Sequence, residues 1–154
     1  MSQKKSVALV SLGCAKNLVD SEVMLGGLRA AGYALRPDPA AADIIVVNTC
    51  GFIGPAREEA EREIRRAVRL KRRDPRKTVV VAGCYVERDG LRLRELFPQV
   101  DFWTGVRDFD RLAALLAGRA ARPRRRTFLY DDLTPRVLSP PRGWAFFHGV
   151  TSAR

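Results

Sequence analysis

The sequence predicts an α/β fold: an open, mostly parallel sheet with helices on both faces, in a single domain. Three observations predict it. Short runs rich in Val, Ile and Leu at residues 7–12, 43–48, 78–82 and 100–103 read as strands, and helix-forming segments separate them. The runs are apolar at successive rather than alternate positions, as strands covered on both faces must be. Strands alternating with helices build right-handed βαβ units, which assemble into a parallel sheet.

The elements follow in order. Val7 to Leu12 is the first strand and ends at Gly13-Cys14. Asp20 or Ser21 is expected to cap a helix running through Val23, Met24, Leu25 and Leu28 to Ala31, with Glu22 matching the helix dipole and Gly32 stopping it. Asp43 to Asn48 is the second strand and ends at Thr49-Cys50-Gly51. A long helix is expected over 56–72, with Pro55 in its first turn, Glu58, Glu59, Glu61 and Glu63 early and bases late. Its apolar positions Ala60, Ile64, Ala67 and Val68, with Leu70 beside them, form a narrow stripe. Asp74-Pro75 breaks it. Thr78 to Ala82 is the third strand and ends at Gly83-Cys84. A short helix over 91–96, a fourth strand over 100–103 and a helix capped by Asp108 through Leu112, Leu115 and Leu116 complete the pattern. From Gly118 the texture changes: 119–126 is basic and contains proline, and 134–142 holds three prolines, so neither is expected to extend the sheet.

A chain of 154 residues, 46% hydrophobic and 29% charged, has the length and composition of one globular domain. No apolar run approaches the roughly 20 residues needed to cross a bilayer. The apolar stretch after the charged N-terminus is too short for a signal peptide, so a cytoplasmic protein with no membrane partner is expected. Three cysteines are an odd number and a reducing compartment disfavours disulfides, leaving buried small hydrophobes or ligands as the two readings. The net charge of +11 is concentrated in residues 57–128, which hold twenty Lys/Arg against eleven Asp/Glu. Such an excess suits RNA or the ribosome. Glutamates at i, i+4 spacing, Glu58 with Arg62 and Glu61 with Arg65, are expected to pair with part of it, leaving weak, non-specific and salt-sensitive RNA affinity.

The cysteines share one address. Cys14, Cys50 and Cys84 each follow a predicted strand by one or two residues. In an open parallel sheet the carboxyl ends of the strands lie along one edge, where ligands bind. Three thiols 36 and 34 residues apart therefore meet at one site. Gly13, Gly51 and Gly83 beside them let backbone approach a bulky group. A closed zinc site wants four ligands, and the only histidine, His148, lies far off in the tail. Thiolates are the usual ligands of iron–sulfur clusters, and three of them leave one iron of a cubane open to another ligand. Beside the site, Asn17 either bonds a cluster sulfur or orients its loop, and Asn48 and Thr49 satisfy backbone groups. Phe52 and Tyr85 either shield the cluster or pack in the core. Trp103 and Trp144 read as packing residues.

These residues carry a resemblance. Gly13-Cys14-Ala15-Lys16-Asn17-Leu18-Val19-Asp20-Ser21-Glu22, Asn48-Thr49-Cys50-Gly51-Phe52-Ile53 and Ala82-Gly83-Cys84 resemble the N-terminal domain of the MiaB and RimO methylthiotransferases. Lys16-Asn17, Gly51-Phe52-Ile53 and the downstream 134–139 segment are more similar to the RimO branch, although Ala15 stands where that branch usually has proline. The resemblance implies that Cys14, Cys50 and Cys84 hold an auxiliary 4Fe-4S cluster, which carries the sulfur to be transferred. S-adenosylmethionine and a second 4Fe-4S cluster belong to the family's radical-SAM domain. The implied target is an aspartate of a small-subunit ribosomal protein, so a ribosomal protein or the ribosome is the implied partner. After Trp144-Ala145-Phe146 the family continues into a C-x-x-x-C-x-x-C loop, and this sequence has no fourth cysteine. The expectation is a cluster-binding domain over 1–118 and a linker over 119–154 toward an absent radical-SAM domain. The sequence reads as an amino-terminal fragment, its last eight residues suggesting truncation or a frameshift, with no catalytic residue of its own and no activity alone. The alternatives are a MiaB-like fragment acting on tRNA and a non-catalytic RNA- or ribosome-binding module. A flavodoxin-like nucleotide or flavin binder ranks last, because no G-x-G-x-x-G or P-loop signature is present.

Overall fold

Strands β1 (Ser6–Ser11), β2 (Ala34–Leu35), β3 (Ile44–Thr49), β4 (Thr78–Gly83), β5 (Phe102–Thr104) and β6 (Thr127–Phe128) form one sheet in the order β2-β1-β3-β4-β5-β6. This is a computed structural model, and it describes residues 5–117 and 127–128. Every neighbouring pair among these strands is parallel. Helices α1 (Ala15–Ala30), α2 (Gly54–Arg73), α3 (Cys84–Leu96) and α4 (Leu112–Ala117) cover the sheet, with 3₁₀ turns at Pro39–Ala41 and Val106–Arg111.

Alternate residues of the central strands build two cores. Ile45 and Val47 of β3 and Val79 and Val81 of β4 pack with Ala60, Ile64, Ala67 and Val68 of α2 and with Tyr85, Val86 and Leu93 of α3. Ile44, Val46, Val80 and Ala82 point the other way, toward Met24 and Leu28 of α1 and Leu112 and Leu116 of α4. A strand whose two faces are both covered has to be apolar throughout, and β3 is buried along its whole length. Trp103 packs in the first core, as expected.

Several boundaries differ from the expectation. Helix α1 begins at Ala15 with Cys14 at the N-cap, so neither Asp20 nor Ser21 caps it. Both are buried inside the helix, where Lys16 bonds the Asp20 carboxylate and Ser21 Oγ donates to the Asn17 carbonyl. Cap-forming side chains can satisfy themselves within a helix in this way. Glu22 accordingly lies past the first turn, and Gly32 does stop the chain at φ +92°. Helix α2 has Pro55 in its first turn and Lys71, Arg72 and Arg73 in its last, but its first turn holds no acid. Helix α3 starts at Cys84, seven residues early, because a break at Asp89 (φ −131°) divides it and only the second part carries the sequence signal. Asp108 lies inside a 3₁₀ turn and bonds Arg111 instead of capping α4. Edge strands β2 and β6 have two residues each, too few for a pattern, and β6 falls within 119–154. Glu61 pairs with Arg65 at 3.1 Å, whereas among the described residues no ion pair joins Glu58 to Arg62. Segments 119–126 and 134–142, Trp144 and His148 lie outside the described residues.

The amino end of the sheet is pinned by Asp43. Its Oδ2 accepts from Ser6 N at 2.8 Å and from Ser6 Oγ at 2.7 Å, tying β1 to the start of β3. The backbone and then the hydroxyl donor of Ser6 hold the Asp43 carboxyl below its ordinary value. A carboxyl depressed in the folded state adds stability above its unfolded value, about 3.9, and loses it as pH falls through the folded one. Asp43→Asn is therefore expected to destabilise the chain at pH 7 by about 1 kcal/mol or less, since Asp43 is exposed to solvent. Urea melts at pH 7 and pH 3 check this: the difference from wild type shrinks at pH 3, and an equal loss at both contradicts it.

Candidate metal centre at the carboxyl edge of the sheet

Strands β1, β3 and β4 are adjacent, and their register fixes where each cysteine emerges. Ser11 pairs with Asn48, Asn48 with Ala82, and Thr49 with Gly83. Cys50 and Cys84 thus leave the sheet at the same level on neighbouring strands, and Cys14 follows β1 by three residues. The strand order reverses between β1 and β3, with β2 added on one side and β3 to β6 on the other, which makes this the switch point at which doubly wound folds bind ligands. All three thiols are free: Cys14 is exposed, Cys84 half-buried and Cys50 buried.

A buried polar network joins the three strand ends. Asn17 Nδ2 donates to the Leu12 carbonyl at 2.7 Å, so Asn17 orients the Cys14 loop. Asn48 Nδ2 donates to the Asn17 carbonyl at 3.1 Å and to Ser21 Oγ at 3.0 Å. Thr49 Oγ1 donates to the Ala82 carbonyl at 2.6 Å, which crosses from β3 to β4. Asn48 and Thr49 therefore serve backbone groups, as expected. Arg57 Nε and Arg88 Nη1 both donate to the Gly51 carbonyl, at 3.2 and 3.4 Å, and hold the segment after Cys50.

The electrostatics differ among the thiols. The backbone N–H of Asn17 lowers the Cys14 thiol from its ordinary value, outweighing burial, and the Lys16 charge acts in the same sense. Burial pushes the Cys84 thiol up, with Lys16 pulling against it. Lys16 Nζ donates to Asp20 Oδ2 at 2.8 Å. Burial lowers the Lys16 ammonium, but the bond and charge of Asp20, and the sulfurs of Cys84 and Cys14, leave it raised. The sequence signal for this pair is its i, i+4 spacing, which the capping reading of Asp20 obscured. Arg57 and Arg88 carried no comparable signal.

The family model described as "Uncharacterized protein family UPF0004" matches residues 6–105. The chain belongs to the UPF0004 family. It is 44% identical over 142 residues to "Ribosomal protein uS12 methylthiotransferase RimO" of Solibacter usitatus, covering 91% of this chain and 30% of that protein. Proteins of the same name from Myxococcus xanthus and Helicobacter pylori strain P12 are 42% and 39% identical over 92% and 90% of this chain, and over 30% and 31% of their own lengths. The chain spans about a third of the length of the curated relatives it matches.

In this UPF0004 domain the aromatic side chains divide. Tyr85 is fully buried, donates to Glu61 Oε1 at 2.8 Å and belongs to the core. Phe52 is 83% exposed beside Cys50, so the core reading fails for it. Two glycines sit where an added side chain would collide with its neighbours. A Cβ on Gly13 (φ +90°) would fall on Cys50 Cβ and stand 3.0 Å from its sulfur. One on Gly83 (φ +107°) would stand 2.6 Å from Asn48 Oδ1 and closer still to the Thr49 carbonyl. Gly83→Ala is expected to cost at least about 2 kcal/mol, from strain and from that clash. Gly26→Ala, in the α1 interior with nothing within 4 Å of the added carbon, is expected to gain about 0.5–1 kcal/mol. Denaturant melts of the two variants decide, and a neutral Gly83→Ala contradicts the geometry.

Proposed function

We propose that this chain is the cluster-binding domain of a RimO-type methylthiotransferase, in which Cys14, Cys50 and Cys84 hold a 4Fe-4S cluster. The observation that carries the proposal is the emergence of three free cysteines from the carboxyl ends of three adjacent parallel strands. The residues present fit such a group. Cys14 stands at the start of α1, Cys84 at the start of α3, and Cys50 just before α2, so helix amino ends face the region where anionic sulfur would gather. Gly13 and Gly83 let the segments that carry the cysteines pack closely on one another, since an added Cβ would collide with Cys50 or with the Thr49 carbonyl. Among the described residues no three His, Cys, Asp or Glu side chains are grouped to hold a single metal ion. A cubane does not ask for that grouping, because its cysteines bond different irons.

When bound, a cluster held by three cysteines keeps one iron open, the position that in the methylthiotransferases carries sulfur for transfer. The chain's residues then hold the cluster edge rigid: Asn17 and Asn48 tie loop to strand, and Arg57 and Arg88 fix the Gly51 carbonyl. The names of the relatives support a ribosomal protein as the substrate of the full-length enzyme, and a cytoplasmic location goes with that reading. Among the described residues no helix is long and apolar enough to cross a membrane. S-adenosylmethionine and the second cluster would belong to a further domain, with residues 119–154 as the linker toward it. The three cysteines of these 154 residues are all assigned to the first cluster, so methylthiotransfer would draw on that further domain. Its α2 arginines add weak, salt-sensitive RNA attraction.

Anaerobic reconstitution with iron and sulfide tests the reading. Wild type is expected to bind about four irons per chain with broad visible absorbance, and Cys14→Ala, Cys50→Ala or Cys84→Ala each to lose stable binding. Full iron content in any single variant would show that the three thiols do not share a cluster.

A further inference from the structure

Helix α2 carries a row of arginines that its own stability does not explain. Its inner face, Ala60, Ile64, Ala67 and Val68, is buried against the sheet. Opposite that stripe Arg62, Arg66, Arg69 and Arg73 follow at i, i+4, i+7 and i+11, with Arg65 and Arg72 flanking them, and all are exposed. Residues 64–73 hold six Lys/Arg and no acid. Bases suit the carboxyl end of a helix, but the dipole acts within the last turn, and Arg62, Arg65 and Arg66 lie before it. Like charges at i, i+4 destabilise a helix, so the row costs α2 some stability. Nor are these charges neutralised within the molecule. Arg65 reaches Glu61 at 3.1 Å and Arg66 reaches Glu63 at 3.8 Å. The side chains of Arg62, Arg69, Arg72 and Arg73 have no partner among the described residues.

We propose that this row is a docking face for the phosphate backbone of double-helical RNA. It deepens the RNA attraction proposed above by giving it a place and a geometry. A guanidinium offers a planar fork of donors to phosphate oxygens, and the row repeats it about every 5.4 Å along a rigid rod of about 16 Å. Such repetition suits the regular phosphates of a duplex. Single strands are held by stacking on aromatic rings, and α2 contains no aromatic residue. Protein partners are anchored by apolar side chains at the centre of an interface, and among the described residues no large exposed apolar side chain belongs to α2. The row also runs away from the cysteines. Helix α2 leaves the carboxyl end of β3 beside Cys50 and returns to the amino end of β4, so Arg73 lies toward the opposite edge of the sheet. RNA on this face leaves the cysteine edge open.

The test titrates a labelled RNA duplex with the full 154-residue chain at several salt concentrations, read by fluorescence anisotropy. A triple variant of the row, Arg62→Gln, Arg69→Gln and Arg73→Gln, is compared with Lys5→Gln, Arg29→Gln and Arg36→Gln, which removes equal charge from exposed positions elsewhere. Circular dichroism first establishes that both are folded. The row variant is expected to bind at least about tenfold more weakly at about 50 mM salt, and its slope of log affinity against log salt to fall by about 2–3. The control is expected to stay near wild type, and lysine at the same three row positions to keep the wild-type slope. Equal losses in the two glutamine variants, or an unchanged row variant, would overturn the inference and leave the cluster reading standing, since iron plays no part in this assay. Displacement of the RNA by polyglutamate as readily as by unlabelled duplex of equal charge would also overturn it, in favour of an acidic protein. A wild-type chain with no affinity for the duplex at low salt would overturn both the docking face and the RNA attraction.

Discussion

The parallel register of β1, β3 and β4 is the constraint on which the rest of this molecule depends. It brings residues 14, 50 and 84 to one edge, and a slip of one position on any strand would move its cysteine away. The apolar pattern does not hold that register by itself. In β3, Ile44 and Val46 face one core while Ile45 and Val47 face the other, so a one-residue slip exchanges apolar side chains for apolar side chains. The polar groups at the strand ends discriminate. Asp43 clamps Ser6 at the amino end, and Asn48 and Thr49 bond Asn17, Ser21 and Ala82 at the carboxyl end. A one-residue slip keeps apolar groups buried but strips Asn48 and Thr49 of their partners, at about 1–3 kcal/mol for each buried polar group left unpaired, which makes these residues effective register pins.

The same pins set the chemistry of the edge. Because Asn17 holds its helix against Leu12, the first turn of α1 opens directly at Cys14 and presents backbone N–H groups to the sulfur. Because Gly83 adopts a positive φ, β4 turns at once into α3 and Cys84 becomes the first helical residue. Thiols at such helix starts lie where developing negative charge is favoured. Lys16 adds a full charge to these partial ones.

Much of this was legible in the sequence, and the reasons are specific. The strands of the sheet centre showed because residues buried on both faces form unbroken apolar runs, and the three cysteines showed because each follows such a run. The α2 stripe of Ala60, Ile64, Ala67 and Val68 showed because one face of a long helix is buried and the rest is solvated. The starts of α1 and α3 were hidden. Asp20 and Ser21 are cap-forming residue types that here bond inside a helix, and the first turn of α3 was masked by the break at Asp89. Strands β2 and β6 take their place from pairing alone, which two residues cannot announce. Of the two readings of Phe52 the core one fails, because an aromatic next to a strand end usually turns inward and here the chain has already left the core.

The most direct measurement of the central claim is a crystal structure of the anaerobically reconstituted chain, with iron located by its anomalous scattering. The account predicts one compact iron peak at the carboxyl edge of the sheet, bonded to the sulfurs of Cys14, Cys50 and Cys84, with one iron free of protein thiolate. Iron bound elsewhere, or a cluster that leaves one of the three sulfurs unbonded, would contradict it.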